Sequence, residues 1–68
     1  MADNIYKVVE VIGSSTESIA DGARNAVAKA AETVRNIEWF EIGSVRGHVV
    51  DGEVAHFQVT TRIGFRLE

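Results

Sequence analysis

The feature that most constrains the fold is a pair of long strand-like segments on either side of Asp51-Gly52. Residues 37–50 are rich in β-branched and aromatic side chains, which favour strands. Asp-Gly is a preferred two-residue turn in β-hairpins. After the turn, residues 54–67 alternate almost without error, and one face of this segment receives Ala55, Phe57, Val59, Thr61, Ile63, Phe65 and Leu67. The sequence therefore predicts a long hairpin with one apolar face.

The first half of the chain predicts a strand followed by a helix. Residues 5–12 have strand composition. Ser14 and Glu17 have the spacing of a capping box, so a helix is expected over about residues 16–35, with Asn36 as a left-handed stop. Its apolar stripe recurs at helical spacing and consists of Ile19, Ala23, Ala26, Val27, Ala30 and Val34. The order is β-α-β-β, an α+β fold in which residues 1–68 form a single domain.

Counting outward from the turn assigns the register of the hairpin and the faces of its side chains. The predicted pairs are Val50 with Glu53, Val45 with Gln58, Phe40 with Ile63 and Trp39 with Gly64. The face expected to lie under the helix carries Phe40, Ile42, Val59, Thr61, Ile63 and Phe65. The opposite face carries Trp39, Glu41, Val45, His56, Gln58, Thr60 and Arg62. The largest apolar side chain of the protein is therefore expected on the polar face.

Trp39 on that face has two interpretations. A helix of about 19 residues is roughly 28 Å long, whereas strands of about 13 residues reach roughly 43 Å, so the helix cannot cover the whole hairpin. An exposed indole opposite a glycine marks either a ligand-binding surface or a contact with another subunit. Gln58 favours a ligand, because a carboxamide matches the donor and acceptor edge of a planar heterocycle. The alternative for Gln58 is an ordinary solvated strand position.

The composition limits the other functions to consider. A 68-residue chain without cysteine has a marginal core and no disulfides, so self-association is expected to support it. His48 and His56 are the only histidines, and without cysteine no structural metal cluster is expected. The net charge of −3 argues against nucleic acid as the main partner. The sequence contains no membrane-span pattern or secretory-signal pattern, so a cytoplasmic location is expected.

Several short motifs together resemble a known family. They are Tyr6-Lys7-Val8, Gly13-Ser14-Ser15, Trp39-Phe40-Glu41, Arg46-Gly47, Phe57-Gln58-Val59 and Gly64-Phe65-Arg66-Leu67-Glu68. In order, spacing and total length the chain is similar to a bacterial dodecin. The resemblance implies a three-stranded antiparallel sheet wrapped partly around one helix, with twelve copies forming a hollow homododecamer.

The resemblance also implies a non-enzymatic flavin site. Two flavins would meet on a two-fold axis, each between its companion and an indole, so Trp39 would be the outer wall. Gln58 matches the family's flavin-edge glutamine, and Arg46 matches an arginine near the flavin. The simple register puts Arg46 on the opposite face from Trp39, although a bulge at Gly43 or Gly47 would reverse this.

The resemblance also implies a particular flavin and a particular role. Ser44 looks like the bacterial type, which tends toward flavin mononucleotide (FMN) rather than riboflavin. Tyr6, Lys7 and Arg66 match positions that contact coenzyme A in some bacterial relatives, although solvated edge-strand charges explain them equally well. The expected role is flavin storage with photophysical quenching. The alternatives are a small flavin-dependent oxidoreductase and a purely structural homo-oligomeric shell.

Overall fold

The computed structural model describes residues 3–68 and contains three strands and one helix in this range. The strands are β1 (Tyr6–Ser15), β2 (Ile37–Val50) and β3 (Glu53–Arg66), and the helix is α1 (Ile19–Ala30). Both strand pairs are antiparallel, and the order in the sheet is β1-β3-β2. The predicted β-α-β-β fold is confirmed.

The turn between β2 and β3 forms where the sequence predicts it. Asp51 and Gly52 both have positive φ, 52° and 78°, which is the conformation that a type I′ hairpin turn requires. Val50 pairs with Glu53 beside this turn. The hairpin is therefore fixed locally by turn chemistry.

The helix begins later than the capping-box spacing predicts. Ser18 is the N-cap, and its hydroxyl accepts a hydrogen bond from the Asp21 N–H at 3.0 Å. Ser14 lies inside β1 instead, and the side-chain amide of Asn25 donates to its carbonyl at 2.9 Å. The proposed cap of Ser14 with Glu17 is therefore wrong, because β1 continues as far as Ser15.

The helix also ends earlier than predicted. Its last residue is Ala30, capped by Ala31, so the helix has 12 residues instead of about 19. Asn36 does adopt a left-handed φ of 63°. It lies directly before β2, where its carbonyl accepts a hydrogen bond from the Arg66 N–H at 3.0 Å. Asn36 therefore directs the chain into the sheet and does not terminate the helix.

Two glycines allow the helix to approach the sheet closely. A Cβ at Gly13 would collide with the carbonyl oxygen of Gly22 and lie 2.8 Å from Cβ of Ala26. A Cβ at Gly22 would lie 2.8 Å from a methyl group of Val59. The core beneath the helix is correspondingly tight, and its fully buried side chains are Val59, Thr61 and Ile63.

The helix does not cover the whole predicted face. Phe40 and Ile42 lie on the correct face of the sheet but are 51% and 43% exposed. They line one wall of an apolar groove of about 540 Å³, and the other wall is formed by the helix. The prediction that α1 covers both side chains is wrong, because α1 lies over β1 and β3 and leaves β2 open.

Candidate functional site

The candidate site lies on the sheet face opposite α1. Val59, Thr61 and Ile63 point toward the helix, so the neighbouring side chains of β3 point away from it. Trp39 pairs with Gly64, which belongs to this second set. Trp39 therefore lies on the face without a helix, as the sequence predicts.

The indole of Trp39 is held between its two neighbours. It occupies the space above Gly64, where an added Cβ would collide with three of the ring carbons. The ring of Tyr6 contacts it in a T-shaped arrangement, with a centroid distance of 5.3 Å and an angle of 71° between the planes. Trp39 is still 38% exposed. The indole is therefore positioned by contacts within the chain and still presents free surface to a ligand.

The contact between Tyr6 and Trp39 was not predicted. Tyr6 stands out in the sequence only through the family resemblance, as a candidate coenzyme A contact. Tyr6 pairs with Arg66 in the sheet, two residue pairs beyond Val8 with Gly64, and this brings it beside the indole. The signal that could have revealed the contact is the antiparallel pairing of β1 with β3, which places Tyr6 near the partner of Trp39.

A charged row lies next to the tryptophan along the sheet. Arg62 is within 3.7 Å of a carboxylate oxygen of Glu10 on β1 and within 3.9 Å of one of Glu41 on β2. Beyond it, the hydroxyl of Ser44 donates to the hydroxyl of Thr60 at 3.2 Å. The face therefore changes from aromatic to polar within one row of residues, and a ligand ring on Trp39 would have charged groups at its border.

Arg46 lies on the same face as Gln58. The register shifts by one residue between Ile42 and Val45, so Arg46 pairs with Gln58, and Val45 pairs with Val59. The simple register, which placed Arg46 on the opposite face from Trp39, is therefore wrong at this position. The bulge proposed at Gly43 is found in this interval, while Gly47 pairs regularly with Phe57.

The same shift moves Val45 off the tryptophan face. The sequence predicted Val45 opposite Gln58, but its partner Val59 points toward the helix side of the sheet. Bulges of this kind redirect side chains without changing the ends of a strand. Arg46 replaces Val45 as the neighbour of Gln58 on the candidate binding face.

Trp39 and Gln58 share a face but are not brought together within one chain. Gln58 lies six positions before Gly64, the partner of Trp39, along β3, which corresponds to about 20 Å along a strand. Assignment of the two residues to one face does not by itself reveal this separation. One planar ligand cannot contact both residues of a single chain.

The three residues singled out for coenzyme A do not form one cluster. Tyr6 pairs with Arg66, so both lie on the tryptophan face. Lys7 pairs with Phe65 and therefore lies on the other face. Arg66 is also engaged by Glu38, with a nitrogen to oxygen distance of 3.6 Å. Coenzyme A binding stays a prediction.

The described part of the chain contains neither a larger cluster of metal ligands nor a membrane-spanning helix. No group of three or more His, Cys, Asp or Glu side chains in residues 3–68 is arranged to hold a metal ion. Within the same residues, no helix has the length and apolar character needed to cross a membrane.

Fold and site together define a class of protein: one short helix on one face of a three-stranded antiparallel sheet, and a half-open tryptophan on the other. The Dodecin family model matches residues 5–68. A curated dodecin from Thermus thermophilus is 39% identical over 64 residues, covering 94% of this chain and 93% of that protein.

Solved structures agree with this match. The dodecin from Streptomyces coelicolor is 47% identical, with a TM-score of 0.94 over 100% of this chain and 97% of that chain. The dodecin from Streptomyces davaonensis is 40% identical, with a TM-score of 0.94 over 98% of both chains. The chain belongs to the dodecin family, whose members in general bind flavins.

Proposed function

We propose that this protein is a non-enzymatic flavin store, which holds FMN or riboflavin against Trp39 in a homo-oligomeric shell of twelve copies. The observation that carries the proposal is the indole of Trp39, fixed on Gly64 and Tyr6 yet 38% exposed on the face without a helix. Aromatic rings stack in offset geometry with both dispersion and electrostatic gain. An isoalloxazine ring fits such a platform.

The shape of the chain supports self-association. Its radius of gyration is 14.2 Å and its extents are 57 × 20 × 13 Å, whereas a compact domain of this length has a radius of gyration of about 11 Å. Large apolar side chains are exposed along its length, including Ile12, Val49 and Val54. Elongated shape and exposed apolar surface are what a subunit of a larger assembly needs.

The distance between Trp39 and Gln58 within one chain also favours an assembly. Gln58 and Trp39 of one chain are about 20 Å apart along the sheet, so a flavin stacked on Trp39 needs its polar edge bound by Gln58 of a second copy. Arg46 lies beside Gln58 in the register and would contribute a positive charge near the same edge. We therefore infer that the complete site is formed between copies.

The proposed mechanism is photophysical. An indole in van der Waals contact with an excited isoalloxazine can donate one electron and receive it back, which ends the excited state without net chemistry. Stacking on both ring faces would also block the access that hydride exchange requires. Both effects favour storage over the oxidoreductase alternative.

The test is Trp39→Ala in the full-length protein, titrated with FMN and riboflavin while flavin emission is recorded. Flavin binding is expected to weaken by about 1 to 3 kcal/mol, the size of one ring-stacking contact, and quenching should be lost. Trp39→Phe, which keeps an aromatic ring, should retain part of the affinity. Light scattering should give an unchanged assembly mass.

Three outcomes would contradict the proposal. Equal affinity and quenching in Trp39→Ala would exclude the indole as the platform. A parent protein that binds no flavin would favour the purely structural shell. Catalytic turnover of bound flavin with a nicotinamide donor would favour the oxidoreductase.

A further inference from the structure

The two histidines of the chain face each other across the hairpin. His48 pairs with His56 in the register, and their rings lie 5.3 Å apart between centroids with an angle of 22° between planes. His48 is exposed and His56 is half-buried. Both are on the tryptophan face, because His56 shares the alternation of Gln58 and Gly64 along β3.

This pairing depends on two compensating irregularities in the hairpin. In a regular ladder counted from the turn, His48 would pair with Ala55 and point to the opposite face. The register shift between Ile42 and Val45, reversed between His48 and Val49, displaces only residues 45–48. Irregularities of this kind are common where a side chain must be redirected for binding.

We propose that His48 and His56 form an exchangeable site for a divalent first-row transition-metal ion such as Zn²⁺, Ni²⁺ or Cu²⁺. Neutral imidazole is a preferred ligand of these ions. With metal to nitrogen distances of about 2.0 to 2.1 Å, two imidazoles on one ion have ring centroids about 4.5 Å apart at the square angles of Ni²⁺ or Cu²⁺ and about 5 Å apart at the tetrahedral angles of Zn²⁺. The observed separation of 5.3 Å is close to the longer of these distances. The rings are nearly parallel, at 22°, so both must turn before one nitrogen of each can face a shared ion.

A third ligand is available beside the pair. The terminal amide nitrogen of Gln58 lies 3.5 Å from Nε2 of His56. Amide nitrogen and oxygen exchange positions when the group flips. Two ligand atoms on a tetrahedral ion are separated by about 3.4 Å, so the flipped oxygen fits the same ion as His56. Water would complete the coordination.

The surroundings make this site weak and open. Among the described residues, no third His, Cys, Asp or Glu joins the pair, so the site lacks the closed ligand set of structural zinc. Arg46 lies on the same face, two residue pairs away, and its charge opposes a cation. The expectation that no structural metal cluster forms concerned closed sets of soft ligands and does not extend to a two-histidine site.

The test uses the flavin-free, full-length protein at neutral pH and titrates it calorimetrically with Ni²⁺. Binding of one ion per chain is expected. His48→Asn and His56→Asn should each weaken binding by about tenfold or more, since loss of even an outer-shell partner of a metal ligand typically costs about that much. Arg46→Ala should tighten binding. Mg²⁺, which prefers oxygen ligands, should not bind.

Glu41→Gln is the matched control, because it removes a carboxylate from the same face about 20 Å along the strand from the histidines. Its affinity for Ni²⁺ should equal that of the parent. Circular dichroism should confirm that all variants fold. Electron paramagnetic resonance with Cu²⁺ gives a second readout, in which coupling to two nitrogens is expected.

The proposal is overturned if either histidine variant binds Ni²⁺ as tightly as the parent, or if Cu²⁺ couples to a single nitrogen. Loss of affinity in Glu41→Gln equal to that in the histidine variants would also overturn it, since binding would then follow overall charge. None of these measurements requires a flavin, so their failure leaves the proposed flavin function untouched.

Discussion

Gly64→Ala tests the geometry of the candidate site more directly than removal of the tryptophan does. The added Cβ would fall against three carbons of the indole of Trp39, closer than non-bonded atoms approach. Carbon atoms at rest are about 3.5 to 4.0 Å apart. The indole must therefore move away from Gly64 by about 1 Å or more, and it leaves the position in which Tyr6 contacts it.

The expected loss follows from the value of the stacking contact. An aromatic platform contributes about 1 to 3 kcal/mol per stacked ring. Displacing the indole of Trp39 without removing it should cost a large part of this stacking energy. The loss corresponds to flavin binding that is weakened by about 5-fold to 150-fold. The emission of Trp39 in the flavin-free protein should change as well, because its surroundings change before any ligand is added.

The assay is a titration of flavin-free protein with FMN, followed by flavin emission. Gly47→Ala is the matched control on the same hairpin, because a Cβ at that position meets no atom closer than 3.5 Å. Its affinity should stay within about twofold of the parent, as expected for substitutions away from a site. Light scattering should check that both variants retain the parent assembly.

One result would refute the reasoning. If Gly64→Ala bound FMN as tightly as Gly47→Ala, with the same quenching, the position of the indole on Gly64 would be irrelevant to binding. If Gly64→Ala failed to assemble, combining it with Trp39→Ala would separate the effects. Truncation of the indole removes the collision, so the double variant should assemble and still bind flavin weakly.

Three further predictions concern the edge of the ligand and the stability of the fold. Gln58→Ala should weaken flavin binding by about 1 kcal/mol through the loss of a hydrogen bond and reduce discrimination between ring systems; an unchanged affinity in the emission titration would remove Gln58 from the site. Gly13→Ala should destabilise the protein by about 1 to 3 kcal/mol, because the helix must move away from β1; urea unfolding with the same midpoint as the parent would contradict the close packing. Ser18→Ala should cost about 1 kcal/mol by removing the helix cap, whereas Ser14→Ala should have a small effect on thermal unfolding; the reverse order would favour the cap predicted from spacing.

The hairpin was predictable because its signals are local. Asp51-Gly52 specifies a two-residue turn, and the alternation of residues 54–67 specifies which side chains share a face. Both ends of the register follow from these signals, so Trp39 was correctly placed opposite Gly64. Within the candidate site, the sequence alone is therefore sufficient to assign Trp39 to the face without the helix.

The ends of the helix were not predictable from residue types. Ser14, Ser15, Thr16 and Ser18 are all acceptable caps, and spacing favoured the wrong one. The choice depends on how far β1 continues, and this is set by its close contact with α1 through Gly13. A tertiary contact therefore decided a local boundary.

The bulge in β2 was predictable as an option but not in position. Glycine at residues 43 and 47 permits a bulge at either place. The polarity of the side chains near the turn could have located the bulge. The shifted register pairs apolar Val45 with Val59 and polar Arg46 with Gln58, and these pairs fit the two faces better than the pairs of the simple register do. The separation of Trp39 from Gln58 was also available, as it requires only the rise per residue of a strand.

The two register shifts in the hairpin compensate each other, so residues 45–48 have a second possible alignment with β3. If these residues slipped by one position, both shifts would disappear, while the turn and the strand ends would stay in place. In that alignment Arg46 and His48 would point away from the tryptophan. A ligand that contacts Arg46 and His48 therefore binds only the alignment that contains both register shifts, and it stabilises this alignment by mass action. Occupancy of this face should thus appear as slower amide hydrogen exchange in a four-residue stretch, even where the guest contacts no backbone atom.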